Sequence, residues 1–176
     1  SELNSLRYDN GVEQLSNGNF IFGDIQSNAL YEVNMLGAVV KKYDLGVYAY
    51  HHQIIESKDG NIILTASKST STHLSGDPTV EDYVIKIDRN TGSVITEWDL
   101  KNTLDENRTT WTGTVLSSPI DWFHGNGLIE DEDENIIVTG RTQGAVKYDK
   151  NKNLKWIVAT HNGWDTSRLG TFPNQF

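Results

Sequence analysis

Three short stretches of the sequence carry side chains that could perform acid–base or anion-binding chemistry. His51 and His52 are adjacent in YAYHHQIIE, His124 and Asn126 lie in DWFHGN, and Arg141 lies in VTGRTQGAVKYD. An imidazole can donate hydrogen bonds and shuttle protons, and a guanidinium binds tetrahedral oxyanions through two parallel hydrogen bonds. Brought together, these groups would form a small cationic pocket suited to a sulfuryl or phosphoryl group.

Other catalytic chemistries have less support. The chain has no cysteine, which excludes thiol nucleophiles, disulfides and cysteine-bound metals. No histidine pair has metal-ligand spacing, although Asp121 could lie beside His124, so we expect no metal site; the acidic run EDEDE at 130–134 also lacks the spacing of a calcium loop. No phosphate-binding loop or dinucleotide fingerprint occurs, so we expect no cofactor.

Composition and charge limit the classes of binding partner that the sequence allows. The formal net charge of −9 argues against a nucleic-acid surface, which requires clustered basic residues. The longest apolar runs, such as IIL at 62–64, are far too short to span a membrane. An anionic small molecule can bind only where a local cationic site overrides the global repulsion.

The elements that must position these residues recur along the chain. Three units, near 11–45, 51–100 and 124–159, each contain four short runs of β-branched and aromatic residues separated by polar turns. Four antiparallel strands per unit are typical of a β-propeller blade, so the sequence predicts an all-β fold in which residues 1–176 belong to one propeller domain of three to four blades. Two polar insertions, 68–82 and 101–119, interrupt the pattern and are expected to form loops on one face.

This architecture predicts that the chemical side chains converge. The innermost strand of each blade begins near the central axis, and His51, His52 and His124 open two such strands. Arg141 ends the following strand and returns toward the same rim. Since neighbouring residues of a regular strand face opposite sides, only one of His51 and His52 is expected to face the site, with His52 favoured.

Each of these residues also has a simpler interpretation. A histidine in a strand can be a packed or surface residue, and Arg141 could form a surface ion pair with an acid of EDEDE. The competing class of protein is a non-catalytic or quinoprotein-like propeller that acts as a binding scaffold, as the turn IDRNTGSV at 87–94 suggests. A histidine and arginine cluster at one funnel mouth favours catalysis, whereas a flat, uncharged mouth favours a scaffold.

Three to four blades are too few to close a ring. An open arc of blades would leave unpaired strand edges and exposed apolar faces. We therefore expect either self-association or further blades to complete the ring. A stable, monodisperse monomer of the chain would count against an open arc.

Two segments resemble the bacterial arylsulfate sulfotransferase family. They are SPIDWFHGNGLIEDEDENIIVTGRTQGAVKYDKNKNLKWIVATHNGW and HHQIIESKDGNIILTAS, and the most specific feature is DWFHGN followed by GR-x-Q-x-A-V-K-Y-D. The resemblance implies a six-bladed propeller that moves a sulfuryl group from an aryl sulfate donor to a phenolic acceptor through a sulfurylated histidine, without an adenylyl-sulfate donor. It favours a periplasmic or extracellular location and leaves a cytoplasmic one open.

The resemblance also implies roles for individual residues. His124 matches the family's oxyanion-binding histidine, Arg141 its sulfate-binding arginine and Asn126 the amide of the motif, while His51 or His52 matches an earlier active-site histidine. The family's sulfurylated histidine lies in a later blade, beyond the segment that HNGW at 161–164 resembles, so His161 is not expected to be the nucleophile. This implies that the chain, taken alone, is a fragment with little or no turnover.

Overall fold

The computed structural model describes residues 11–24, 28–108 and 119–159, and within them the regular secondary structure is almost entirely β-strand. One short 3₁₀ helix, Leu100–Asn102, follows the eighth strand. The twelve strands are β1 Val12–Gln14, β2 Phe20–Asp24, β3 Ala29–Val33, β4 Val39–Asp44, β5 Tyr48–Glu56, β6 Ile62–Lys68, β7 Tyr83–Ile87, β8 Val94–Asp99, β9 Gly125–Glu130, β10 Ile136–Gly140, β11 Gly144–Tyr148 and β12 Leu154–Val158.

The strands form three four-stranded antiparallel sheets, each ordered as in the sequence: β1 to β4, β5 to β8 and β9 to β12. The tight turns follow the polar tips of the sequence. In the β5–β6 hairpin the Ser57 amide bonds to the Asn61 carbonyl at 2.7 Å, and Gly60 adopts φ +80°, a conformation that glycine reaches without steric cost. These sheets confirm the predicted all-β class and the four-stranded antiparallel pattern.

The sheets stand side by side with their first strands adjacent. β5 contacts β1 and β2 of the first sheet on one side and β9 of the third sheet on the other. The middle sheet is therefore covered on both faces, and alternation along β6 divides its side chains: Ile62 and Leu64 enter one core, whereas Ile63 enters the other. All three of these side chains are fully buried.

The insertion at 68–82 folds against Ile120, the residue that follows the second insertion. Thr79 and Ile120 form a parallel bridge, the Val80 amide donates to the Ile120 carbonyl at 3.1 Å, and the Ile120 amide donates to the Pro78 carbonyl at 2.7 Å. The insertion therefore has a fixed path between the second and third sheets. Within the described residues, no helix is long and apolar enough to cross a membrane.

Candidate active site

A bulge in β5 positions the two adjacent histidines. Tyr50 pairs with Ala66 and Ile54 with Leu64, so residues 51–53 lie opposite the single residue Thr65. The Thr65 hydroxyl accepts a hydrogen bond from the Gln53 amide at 3.1 Å and donates one to the His51 carbonyl. A bulge of this kind bends the strand and redirects its side chains.

The third sheet presents its histidine at the start of β9. The carbonyl of His124 accepts hydrogen bonds from the Arg141 amide at 3.2 Å and from the side-chain amide of Asn126 at 2.8 Å. Phe123 is fully buried against Gly140, where an added Cβ atom would lie 2.7 Å from the Phe123 ring. The backbone on both sides of His124 is therefore firmly fixed.

The structure brings all three imidazoles together. The ring centroids of His51 and His52 are 3.9 Å apart, and that of His124 lies 5.7 Å from each of them. The expectation that His51 and His52 face opposite sides was wrong, because it assumed a regular strand. The bulge and the left-handed backbone of His52, with φ 51°, place both rings in one cluster.

Two carboxylates complete this imidazole cluster. Glu81 approaches His51 Nε2 with Oε1 at 2.6 Å and His124 Nδ1 with Oε2 at 2.9 Å, and Asp121 also bonds to His124 Nδ1. Sequence reasoning missed Glu81, because it lies in an insertion and belongs to no motif. Its place in a polar insertion beside the site was the one available signal.

The loop that carries Glu81 is anchored by its neighbour Asp82, which is fully buried. The Oδ2 atom of Asp82 accepts from Thr79 Oγ1 at 2.6 Å, from Trp122 Nε1 at 3.1 Å and from Lys101 Nζ at 3.0 Å. These bonds join the insertion to the segment that precedes His124.

The electrostatics differ from the purely cationic pocket that the sequence suggested. Burial of Asp121 and the nearby charge of Glu81 raise the pKa of the Asp121 carboxyl, and the contact with His124 opposes that rise. Two carboxylates, Glu81 and Asp121, therefore lie against the imidazoles. Arg141, by contrast, is exposed, and its guanidinium makes no hydrogen bond or ion pair with the part of the chain that the structure describes.

Glu81, Asp121 and His124 could also be considered as metal ligands, contrary to the expectation that no such grouping exists. Their ligand atoms all lie within 4.8 Å of one another. Ligands at ordinary metal distances of about 2.1 Å would stand roughly 3.4 Å apart in a tetrahedral site. The contacts of His124 Nδ1 with both carboxylates, 2.9 Å to Glu81 and shorter to Asp121, therefore have the spacing of hydrogen bonds.

Three residues of the imidazole and carboxylate cluster have left-handed backbone conformations. His52, Glu81 and His124 have φ of 51°, 61° and 53°. Among the described residues the other non-glycine examples are Asn28, Glu134 and Lys152, which lie in or beside turns. Left-handed non-glycine residues away from simple turns are characteristic of functional sites. His161, the remaining histidine considered from the sequence, lies outside the described residues.

Comparison with known proteins connects this geometry to a family. A family model described as Arylsulfotransferase (ASST) matches residues 1–172. The chain is 26% identical over 200 residues to the arylsulfate sulfotransferase AssT of Escherichia coli and 27% identical over 199 residues to that of Lelliottia amnigena. Each alignment covers 93% of this chain and 33% of the relative, so the chain spans about a third of the length of these relatives.

The fold of the chain is also similar to that of solved structures. Virginiamycin B lyase from Staphylococcus aureus, crystallised as a catalytically inactive variant with quinupristin, superposes with a TM-score of 0.54 at 12% identity, covering 87% of this chain and 42% of the lyase. The selenomethionine-substituted lyase gives a TM-score of 0.52 at 11% identity, covering 86% and 42%. At this identity the similarity concerns the fold alone, which is β-propeller-like.

Proposed function

Because the chain belongs to the arylsulfotransferase family, we propose that its imidazole cluster is part of a site that transfers a sulfuryl group from an aryl sulfate to a phenol. The observation that carries the proposal is the convergence of His51, His52 and His124, from two neighbouring sheets, beside the backbone of Arg141. The donor is an aryl sulfate rather than an adenylyl sulfate, and no cofactor takes part.

Arg141 and His124 are the proposed oxyanion-binding groups. The Arg141 guanidinium is exposed and can bind two sulfuryl oxygens at once. His124 has both carboxylates at Nδ1, while its Nε2 atom is buried and has no hydrogen-bond partner among the described residues. With Nδ1 facing the carboxylates, the imidazolium form of His124 would donate from Nε2 to a sulfuryl oxygen. Preorganised donors of this kind are worth about 10²–10³ each in rate.

Asn126 and the histidine pair have supporting roles in this proposal. The Asn126 amide holds the carbonyl of His124, and a contact between Asn126 and the substrate stays a prediction. Both ring nitrogens of His51 have acceptor neighbours, Glu81 and the Gly125 carbonyl. The rings of His51 and His52 lie equally far from that of His124, so the proposed site includes both members of the pair.

The proposed reaction has two steps and passes through a sulfurylated histidine. A neutral imidazole nitrogen attacks sulfur and forms an N–S bond, while the S–O bond to the donor breaks and the phenolate leaves with the electron pair. The acceptor phenol then loses its proton to a base, attacks sulfur, and the N–S bond breaks. By resemblance, the attacked histidine belongs to a region outside these 176 residues, so we expect little or no turnover of p-nitrophenyl sulfate by the chain alone.

We also propose that the three sheets are blades of one propeller, completed to six by further sheets or by self-association. A contact that recurs between neighbouring sheets supports a common arrangement. Glu56, at the end of β5, accepts from the Ser16 amide at 2.6 Å, and Glu130, at the end of β9, accepts from the Lys58 amide at 2.7 Å. Each carboxylate holds the first hairpin of the preceding sheet.

Substitution of Arg141 tests the function directly. In the enzyme that contains this chain, Arg141→Ala should lower kcat/KM for transfer from p-nitrophenyl sulfate to a phenol by at least about tenfold, because a charged donor to the sulfuryl oxygens is lost. Circular dichroism and the thermal midpoint should not change, since Arg141 is exposed.

Lys155→Ala is the matched control, because it removes an exposed cation from the same sheet and should leave the rate unchanged. A scaffold would show equal rates, or none, in all three proteins. Wild-type turnover in Arg141→Ala would remove that residue from the site.

A further inference from the structure

Glu81 occupies the junction between the second and third sheets. Its amide donates to Ser67 Oγ in β6 at 2.8 Å, and its carbonyl accepts from the Gly125 amide in β9 at 3.3 Å. The left-handed backbone of Glu81 is therefore held from both sides. This arrangement directs one side chain, which is only 12% exposed, toward histidines from both sheets.

The two oxygens of this carboxylate contact two different histidines. Oε1 lies 2.6 Å from Nε2 of His51, and Oε2 lies 2.9 Å from Nδ1 of His124. A carboxylate can accept hydrogen bonds at both oxygens but cannot donate when ionised. His51 Nε2 must therefore carry the hydrogen where it faces Glu81. The hydrogen of His124 Nδ1 goes to Asp121 Oδ2, and Glu81 Oε2 places a second anionic oxygen beside that nitrogen without a hydrogen bond of its own among the described residues.

These contacts fix where protons sit in the cluster. His51 Nδ1 lies 3.2 Å from the Gly125 carbonyl, so this carbonyl and Glu81 compete for the ring proton, and the charged, nearer Glu81 holds it at Nε2. On His124, Nδ1 faces Glu81 and Asp121, which leaves the buried Nε2 as the nitrogen without a partner among the described residues. The hydrogen bond at one imidazole nitrogen decides which nitrogen is free to react.

We propose that Glu81 is a positioning residue that fixes the proton of His51 at Nε2 and, beside Asp121, favours a proton on His124 Nδ1, which leaves His124 Nε2 for the substrate. The catalytic meaning of this role rests on the proposed function. The proton positions themselves are a property of the chain, and they can be measured without turnover.

The substitution Glu81→Gln tests this role. An amide keeps the size of the side chain but is uncharged and offers one acceptor oxygen and one donor group, so it no longer presents an anionic oxygen to both imidazoles. In ¹H–¹⁵N NMR of the imidazoles of the labelled chain, the unsubstituted protein should show fixed protons on His51 Nε2 and His124 Nδ1. The fixed proton on His51 Nε2 should be lost in the variant, whereas Asp121 should retain the proton on His124 Nδ1.

Glu134→Gln is the matched control, because Glu134 also has a left-handed backbone, with φ 64°, but lies on a hairpin tip and bonds to Lys150. It should leave both ring protons in place. Unchanged imidazole signals in Glu81→Gln, or equal changes in the two variants, would overturn the proposal.

Titration of the same samples with p-nitrophenyl sulfate separates this role from the proposed function. A shift of the His124 signals that requires Arg141 supports oxyanion binding. If p-nitrophenyl sulfate causes no shift of the His124 signals, the proposed function is wrong for this site. The role of Glu81 is decided separately, by the proton positions in the unliganded protein and in Glu81→Gln.

Discussion

Backbone strain at His52 is stored in a strand rather than in a turn. A non-glycine residue in the left-handed region costs of the order of 1–3 kcal/mol and persists only where the surroundings hold it. Here the surroundings are the Thr65 hydroxyl and the Tyr50 hydroxyl, which donates to the His52 carbonyl at 2.7 Å. The strain brings His51 and His52 to the same side, where both reach His124.

A pair of substitutions at His52 measures this strain. His52→Gly and His52→Ala both remove the ring, but only glycine adopts the left-handed conformation freely, so the glycine variant should be more stable by about 1 kcal/mol. Urea unfolding of both variants gives the difference. The same pair at Gln53, where φ is not positive, should show the opposite order. An alanine variant at position 52 as stable as the glycine variant would contradict the strained backbone.

At the residue scale, the sequence predicted His51, His52, His124 and Arg141 as site residues because each lies in a recognisable motif. Neither the role of Glu81 nor the left-handed backbone of His124 could be predicted from the sequence. Glu81 lies in an insertion whose path is set by contacts with Ile120 and Trp122, far away in the sequence, and the backbone of His124 is held by the amide of Arg141, directly after the next strand. Strand alternation also gave the wrong prediction for the histidine pair, since the three-against-one bulge is a tertiary feature.

Between elements, the first two sheets are joined by a polar network around Glu32. This carboxylate is 4% exposed and accepts from Asn19 at 2.6 Å, from Asn17 at 3.0 Å and from Arg89 at 3.0 Å. Burial alone would raise the pKa of Glu32, but these donors lower it from 4.5 to about 2. Arg89 also bonds Glu56 at 2.7 Å, which extends the network into β5.

This network predicts a pH-dependent stability. The folded pKa of Glu32 lies below its unfolded value, so its stabilisation is fully present above about pH 4.5 and is lost as the pH falls toward 2. Glu32→Gln should lower the free energy of unfolding by about 2 kcal/mol at pH 7, after allowance for solvent screening. The deficit relative to the unsubstituted protein should shrink by pH 3, as urea unfolding at each pH would measure.

Glu132→Gln provides the comparison for Glu32, because the side chain of Glu132 is 98% exposed. It should change stability by less than about 0.5 kcal/mol at either pH. A deficit in Glu32→Gln that stays constant between pH 7 and pH 3 would contradict the network's role.

The strands themselves could be predicted from the sequence, since runs of β-branched residues and polar turns mark each of them. The partners of Glu32 were not, because Arg89 belongs to a turn of the next sheet. Local patterns specify a hairpin, whereas contacts between sheets depend on which hairpin tips meet in space.

In the molecule as a whole, the middle sheet links two hydrophobic cores. The first core joins it to the first sheet and includes Leu64, Tyr43 and Tyr50. The second joins it to the third sheet and contains Trp98 and Trp122. Because neighbouring residues of β6 enter different cores, loss of one core removes the support of the strands that build the other.

This shared sheet predicts cooperative unfolding. Leu64→Ala should destabilise the first core by about 2–5 kcal/mol, because a fully buried leucine leaves a cavity. If the sheets unfold together, ¹⁹F signals of fluorotryptophan at Trp98 and Trp122 should be lost at the same lowered midpoint as the circular dichroism signal. Leu36→Ala, at a site that is 93% exposed, should leave that midpoint within the range of surface substitutions. Tryptophan signals that persist to the original midpoint in Leu64→Ala would show that the second core folds independently of the first.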